Sequence, residues 1–226
     1  MGRMTDHPVL KPYDVEVSLA IGRDEVWDAL TQPPVLHQWF GWDYDGLSAE
    51  IQQIFVDEAT LWAPERMGWA DGSYLEVTGD DDRSTVRAVR VGPAPRNPDE
   101  YDAIEEGWRA FLTQLQFLLE ARPRGVRRTI YLTGETTGRQ AMSLVDGDWT
   151  RLGTRMARAV DTDGHLVVVG SHVHLDAADA ARTEITVSTY GLDDAAFGTH
   201  RDKWTRRWAP IADVAEVTFG TPAPTD

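Results

Sequence analysis

The feature that most restricts this chain is the run AIEEGWRAFLTQLQFLLEA at residues 103–121, cut off by Arg122-Pro123-Arg124-Gly125. Trp108, Phe111, Leu112, Leu115, Leu118 and Leu119 recur at three- and four-residue steps, and Tyr101 and Ile104 extend the stripe backwards. That spacing predicts a long amphipathic helix over 100–121, and the proline and glycine that follow cannot continue it. The opposite face carries Ala103, Ala110, Phe117 and Ala121. A phenylalanine among alanines is poorly placed in water, so this back face is expected to dock the remainder of the chain. The helix would then be buried on both sides.

The preceding hundred residues supply strands for such a helix to cover. YDVEVSLAI (13–21) alternates apolar and polar residues, as a half-buried strand does. GRDEVWDALT reads as a short helix with Asp24 and Glu25 in its first turn, favourable beside the positive helix end. Pro33-Pro34 breaks it and can open a second short helix, PPVLHQWFGW. LSAEIQQIFV (47–56), EATLWA, SYLEVTG and STVRAVRVG are expected strands, the last two paired around the acidic turn DDDR.

This order, with VEVSLAIGRDEVWDALTQPPVLHQWFGW at one end and EEGWRAFLTQLQFLLE at the other, resembles the START/Bet v 1-like (SRPBCC) superfamily. Within it, the likeness is greatest to the family of the C-terminal domain of the Hsp90 activator Aha1. It covers roughly residues 13–121. The resemblance implies an α+β helix-grip fold, a curved antiparallel sheet around a long helix, with an apolar cavity between them. It also implies an Aha1-like protein-interaction module as one alternative role. Relatives include cyclases and hydrolases, but no shared motif carries catalytic residues onto this sequence.

The second half repeats parts of the pattern. RRTIYLTGE, TRMARAV, HLVVVGSHVHL and RTEITVSTYGL read as strands, and DDAAFGTHRDKWTRRWAPIADVAE as a closing helix kinked at Pro210. Trp204, Trp208, Ile211 and Val214 match the spacing of Trp108, Leu112, Leu115 and Leu118, and each helix follows a strand that ends in glycine. Two readings fit: a truncated second copy of the same fold, or the spacing that any amphipathic helix gives after a strand. The expected division is a helix-grip domain at 10–121 and a second, START-like unit at 122–220.

Charge narrows the partners. Residues 1–121 carry 9 Lys and Arg against 23 Asp and Glu, whereas 122–226 carry 13 against 14. Such a surface repels nucleic-acid backbones and anionic membranes, so neither is an expected partner. With no cysteine, disulfide and thiolate chemistry are absent. Without a secretory-type leader or a bilayer-length apolar run, a cytoplasmic protein is expected.

Nine tryptophans, six of them at or before residue 108, are the conspicuous raw material. Trp39, Trp62, Trp69, Tyr74, Trp108 and Leu112 are the candidate ligand-binding residues, against the plainer reading that they fill a core. His172, His174 and Asp176 would face one side of a strand, but the His-x-His-x-Asp-His run of a zinc site is incomplete, with Ala177 following Asp176. No metal and no cofactor are expected. The expected function is binding of a small apolar or aromatic molecule in a helix-grip cavity. The alternative is a cyclase-, dehydratase- or hydrolase-type enzyme on the same scaffold.

Overall fold

A computed structural model describes residues 10–95 and 97–219, so residue 220 of the second expected unit lies outside it. The first half forms β1 (Tyr13–Leu19), α1 (Arg23–Thr31), α2 (Pro33–Leu36) and α3 (Leu47–Ile51), which continues as a π-helical segment, Gln52–Asp57. Then follow β2 (Thr60–Trp62), β3 (Arg66–Gly68), β4 (Tyr74–Gly79), β5 (Ser84–Arg90) and α4 (Ala103–Ala121). The second half holds β6 (Arg127–Thr136), α5 (Gly138–Met142), β7 (Thr150–Arg151), β8 (Met156–Val160), β9 (Leu166–Ser171), β10 (Ala181–Tyr190), α6 (Asp194–Trp208) and β11 (Asp213–Thr218). The described residues form a mixed α+β fold with two antiparallel sheets and six α-helices.

The first sheet runs β1-β5-β4-β3-β2 and the second β11-β6-β10-β9-β8-β7. Apart from the added edge strand β11, the two orders coincide: first strand, fifth, fourth, third, second. In both, the first strand closes against the last, Tyr13 opposite Arg90 and Arg127 opposite Tyr190.

Helix α4 lies between the sheets. Asp102 caps it, accepting from the Ile104 and Glu105 amides, and Arg90 anchors the Asp102 carboxylate. At the far end Arg122 turns left-handed (φ 47°), and the chain passes Gly125, where an added Cβ would lie 2.4 Å from Gly191 Cα. Trp108, Leu112, Leu115 and Leu119 pack into one core with Val15, Leu19, Leu75, Val77 and Val86 of the first sheet. On the opposite side Phe117 is only 9% exposed and packs on Met156, Leu166 and Val168. The helix is buried on both sides, as the odd phenylalanine required.

The sheets use their faces differently. Ile130, Leu132, Val167, Val169, Ile185 and Val187 turn away from α4 and form a second core with Phe197, Trp204 and Trp208 of α6. Strand alternation then sends Arg127, Thr129 and Tyr131 of β6, and Glu184, Thr186 and Ser188 of β10, toward the first half. A polar sheet face is thereby turned inward.

Three expectations are corrected. Residues 47–57 are helical: Leu47, Ile51 and Phe55 are buried at four-residue steps, and Ser48-Ala49-Glu50 and Gln52-Gln53 contain no β-branched residue to favour a strand. The closing helix stops at Trp208, with Ala209 still helical as its C-cap, because Pro210 lacks the amide hydrogen that would extend it. Residues 213–218 instead add a strand to β6, so Val214 is 77% exposed and has no counterpart in Leu118. Finally, β9 ends at Ser171, so His172, His174 and Asp176 do not alternate along a strand.

Candidate functional site

The back face of α4 reads Ala103, Gly107, Ala110, Gln114, Phe117, with steps of four and three residues. Its composition changes along the helix, and the space opposite changes with it. At the C-terminal end Phe117 reaches the second sheet and fills the gap. In the middle Gln114 bridges the gap by hydrogen bonds. At the N-terminal end three small residues leave it open, and a cavity of about 770 Å3 lies there. That volume falls within the usual range for small-molecule sites.

Both halves wall the cavity. Tyr13, Phe40, Ile54, Trp69 and Trp108 come from the first half, with Phe111 beside them. Tyr131, Glu184 and Thr186 come from the second sheet. Trp42 stacks flat on Tyr131, with ring centroids 4.0 Å apart and 6° between planes. Trp69 and Trp108 lie 5.9 Å apart at 39°, and the Trp69 indole N–H donates to the Ile54 carbonyl at 2.8 Å. At the rim, Tyr101 stacks on His172 at 4.1 Å.

The polar groups of the cavity are few. The Tyr131 hydroxyl donates to Glu184 Oε2 at 2.6 Å. Burial pushes this phenol up, and the charge and hydrogen bond of Glu184 add to the shift. Tyr101 is pushed up to about 12, by burial first and then by the Glu184 and Glu106 carboxylates. Both phenols therefore remain protonated donors at neutral pH, unsuited to act as phenolate bases. Glu50 accepts from the Tyr44 hydroxyl at 2.6 Å, Glu58 from the Gln53 amide at 2.7 Å, and Asp71 from the Ser73 amide at 2.9 Å.

Behind Gln114 lies Arg127, 3% exposed. Its guanidinium donates to the Phe40 carbonyl (3.0 Å), the Gly41 carbonyl (2.8 Å), Ser188 Oγ (3.2 Å) and the Gln114 side-chain oxygen. Burial pulls its pKa below the usual arginine value, with Tyr190 and Asp43 opposing that shift. Around it, Asp43 pairs with Thr129 by two 2.6 Å bonds, and the Tyr190 hydroxyl donates to the Gln38 carbonyl at 2.7 Å. The loop 38–43 is thus tied to the second sheet and fixes where Trp42 stands.

The structure brings only two of the six sequence candidates, Trp69 and Trp108, to the cavity lining. Trp39 is fully buried, its indole N–H bound to the Ala29 carbonyl at 2.9 Å, and Leu112 is core. Trp62 is 55% exposed on an edge strand, and Tyr74 lies under the Arg66 guanidinium on the outer face of the first sheet. The lining also holds Trp42, Phe111, Tyr101, Tyr131 and Glu184, which were not among the candidates. Phe111 and Tyr101 were visible in the helical stripe, although Tyr101 precedes the helix; Trp42 sits in a loop, and Tyr131 and Glu184 lie on a strand face that reads as solvated. His172, His174 and Asp176 have separate partners, namely the Tyr101 ring, Asp99 (2.7 Å) and Arg151 (2.8 Å). Among the described residues no group of three or more His, Cys, Asp or Glu is arranged to hold a metal ion.

Among solved structures, the chain is similar to DynU16, a protein of the dynemicin biosynthetic locus. Identity is 18% and the TM-score 0.36, over 88% of this chain and 95% of that one. It is also similar to BexL, a di-domain ARO/CYC from the BE-7585A biosynthetic pathway. Here identity is 12% and the TM-score 0.36, over 91% of this chain and 99% of that one. No family model matches the chain, and no curated protein matches it. No described helix is long and apolar enough to cross a membrane.

Proposed function

We propose that the protein binds a small apolar or aromatic molecule in the cavity at the N-terminal half of α4. The supporting observation is the aromatic enclosure itself: about 770 Å3 walled by rings from both halves of the chain, with sparse polar groups to orient a ligand. We further read residues 10–121 and 122–220 as two copies of one helix-grip plan, the second carrying the extra strand β11. The coincident strand order and the helix after each fifth strand support that reading. On this plan each sheet grips its own helix, and the ligand sits between copies rather than inside either one.

Binding is tested with an environment-sensitive hydrophobic dye and with native mass spectrometry of the purified protein. Wild type should take up the dye or retain a co-purified molecule, and Ala110→Trp, which projects a ring into the cavity, should abolish uptake while keeping the circular dichroism spectrum. Equal uptake by both proteins would remove the cavity from the argument.

A second reading, an enzyme on the same scaffold, is favoured by the Tyr131–Glu184 pair at the wall, a hydrogen-bond donor held to a carboxylate. Repeated incubation separates the two readings. A binding protein returns its ligand with unchanged mass, whereas an enzyme returns a changed mass that Glu184→Gln suppresses.

A further inference from the structure

The charge of the cavity is one-sided. Four carboxylates, Glu50, Glu58, Asp71 and Glu184, reach its lining, and no lysine, arginine or histidine does. None of the four has an ion-pair partner among the described residues; their hydrogen bonds come from hydroxyl, amide and backbone N–H donors. The nearby cations are engaged elsewhere or lie outside the lining. Arg90 sits over the Tyr13 ring at 4.6 Å, outside the lining, and is paired with Asp102. Arg127 lies behind Gln114, its donors taken by carbonyl and hydroxyl oxygens. Arg182, two residues before Glu184 on the same face of β10, is exposed and outside the lining, where solvent screens it, although its charge reaches Tyr101 and Tyr131.

The remaining lining reinforces the same preference. Trp42, Trp69, Trp108, Phe111 and Tyr131 line the space, and the faces of such rings carry negative quadrupoles. A cation desolvated among such faces is attracted by them, whereas an anion meets both the rings and the carboxylates as like charge. We infer that the occupant of this cavity is a cation, an aromatic or polycyclic molecule bearing a protonated or quaternary amine. The inference rests on the cavity being the binding site and adds the charge of the ligand to its shape. Cavity and rings define the site; the carboxylates decide the sign.

A matched series of three-ring probes tests it: 9-anthracenemethylamine, 9-anthracenemethanol and 9-anthracenecarboxylate, titrated at pH 7 with tryptophan quenching as the readout. The amine should bind about tenfold or more tightly than the alcohol, and the carboxylate most weakly. Added salt should weaken the amine and leave the alcohol unaffected. Glu184→Gln should narrow the amine-to-alcohol ratio. Arg87→Ala, on the outer face of the first sheet, should leave that ratio as it is. Alcohol or carboxylate binding as tight as the amine, still blocked by Ala110→Trp, would overturn the cationic preference while the cavity reading survived. If none of the three quenched tryptophan, the cavity reading itself would fall, and the charge inference with it.

Discussion

The two sheets share a strand order, yet their outward faces have had opposite fates. On the first sheet that face holds Asp14, Glu76 and Arg87 in a solvent-washed ion-pair ladder, with Arg66 paired to Glu76. On the second, the corresponding face is covered by α4 and the loop 38–43, and carries Arg127, Thr129, Tyr131, Glu184, Thr186 and Ser188. A polar strand face costs nothing in water. Buried, each donor and acceptor must find a partner or line a cavity that supplies one. The second sheet does both: its polar groups nearest Gln114 are tied into the Arg127 network, and those nearer the helix N-terminus look into open space. The site therefore arises where the polar face of one half meets small residues on the helix of the other.

The sharpest break of this comparison is at the shared helix. Phe117→Ala removes the one large side chain that joins α4 to Met156, Leu166 and Val168. It should cost about 3 kcal/mol in urea unfolding, where an exposed phenylalanine would cost almost nothing. Next in size is Arg127→Met, which strips the Phe40 and Gly41 carbonyls and Gln114 of their donor. About 2 kcal/mol should be lost, together with stacking of Trp42 on Tyr131, visible in the near-ultraviolet circular dichroism. Tyr131→Phe tests the cavity end of the same face. Loss of the bond to Glu184 should lower stability by about 1 kcal/mol and change probe affinity more than it changes the melting curve. Last is Arg87→Ala on the outer face of the first sheet, which should leave the unfolding midpoint where it was. If Arg87→Ala proved as damaging as Arg127→Met, the distinction between solvated and buried outward faces would collapse.

Much of the framework was legible in the residues. Helix α4 announced itself because five turns of apolar spacing end at a proline, and Phe117 betrayed the second contact because it sits alone among alanines. Strands β1, β4, β5, β6 and β10 followed from alternation. Residues 47–57 were misread since Ile54, Phe55 and Val56 suit a strand locally, while the burial that decides the matter, at Leu47, Ile51 and Phe55, depends on the core they meet. The cavity was half legible for a related reason. Trp69 and Trp108 are apolar enough to be suspected, but Glu184 and Thr186 alternate with Ile185 and Val187 just as a solvent-facing row would. Only the placement of one sheet behind another's helix turns that row into a wall.

Gly107 gives the back face of α4 one more property. A methyl group added there would meet Phe111 at 3.6 Å, ordinary contact, and glycine inside a helix weakens it by about 1 kcal/mol relative to alanine. Gly107→Ala should therefore raise the melting temperature while narrowing the cavity. Positions 103, 107 and 110 act together as a calliper: a graded series of side chains set along one helix can tune the volume left open against the second sheet, with neither sheet redesigned.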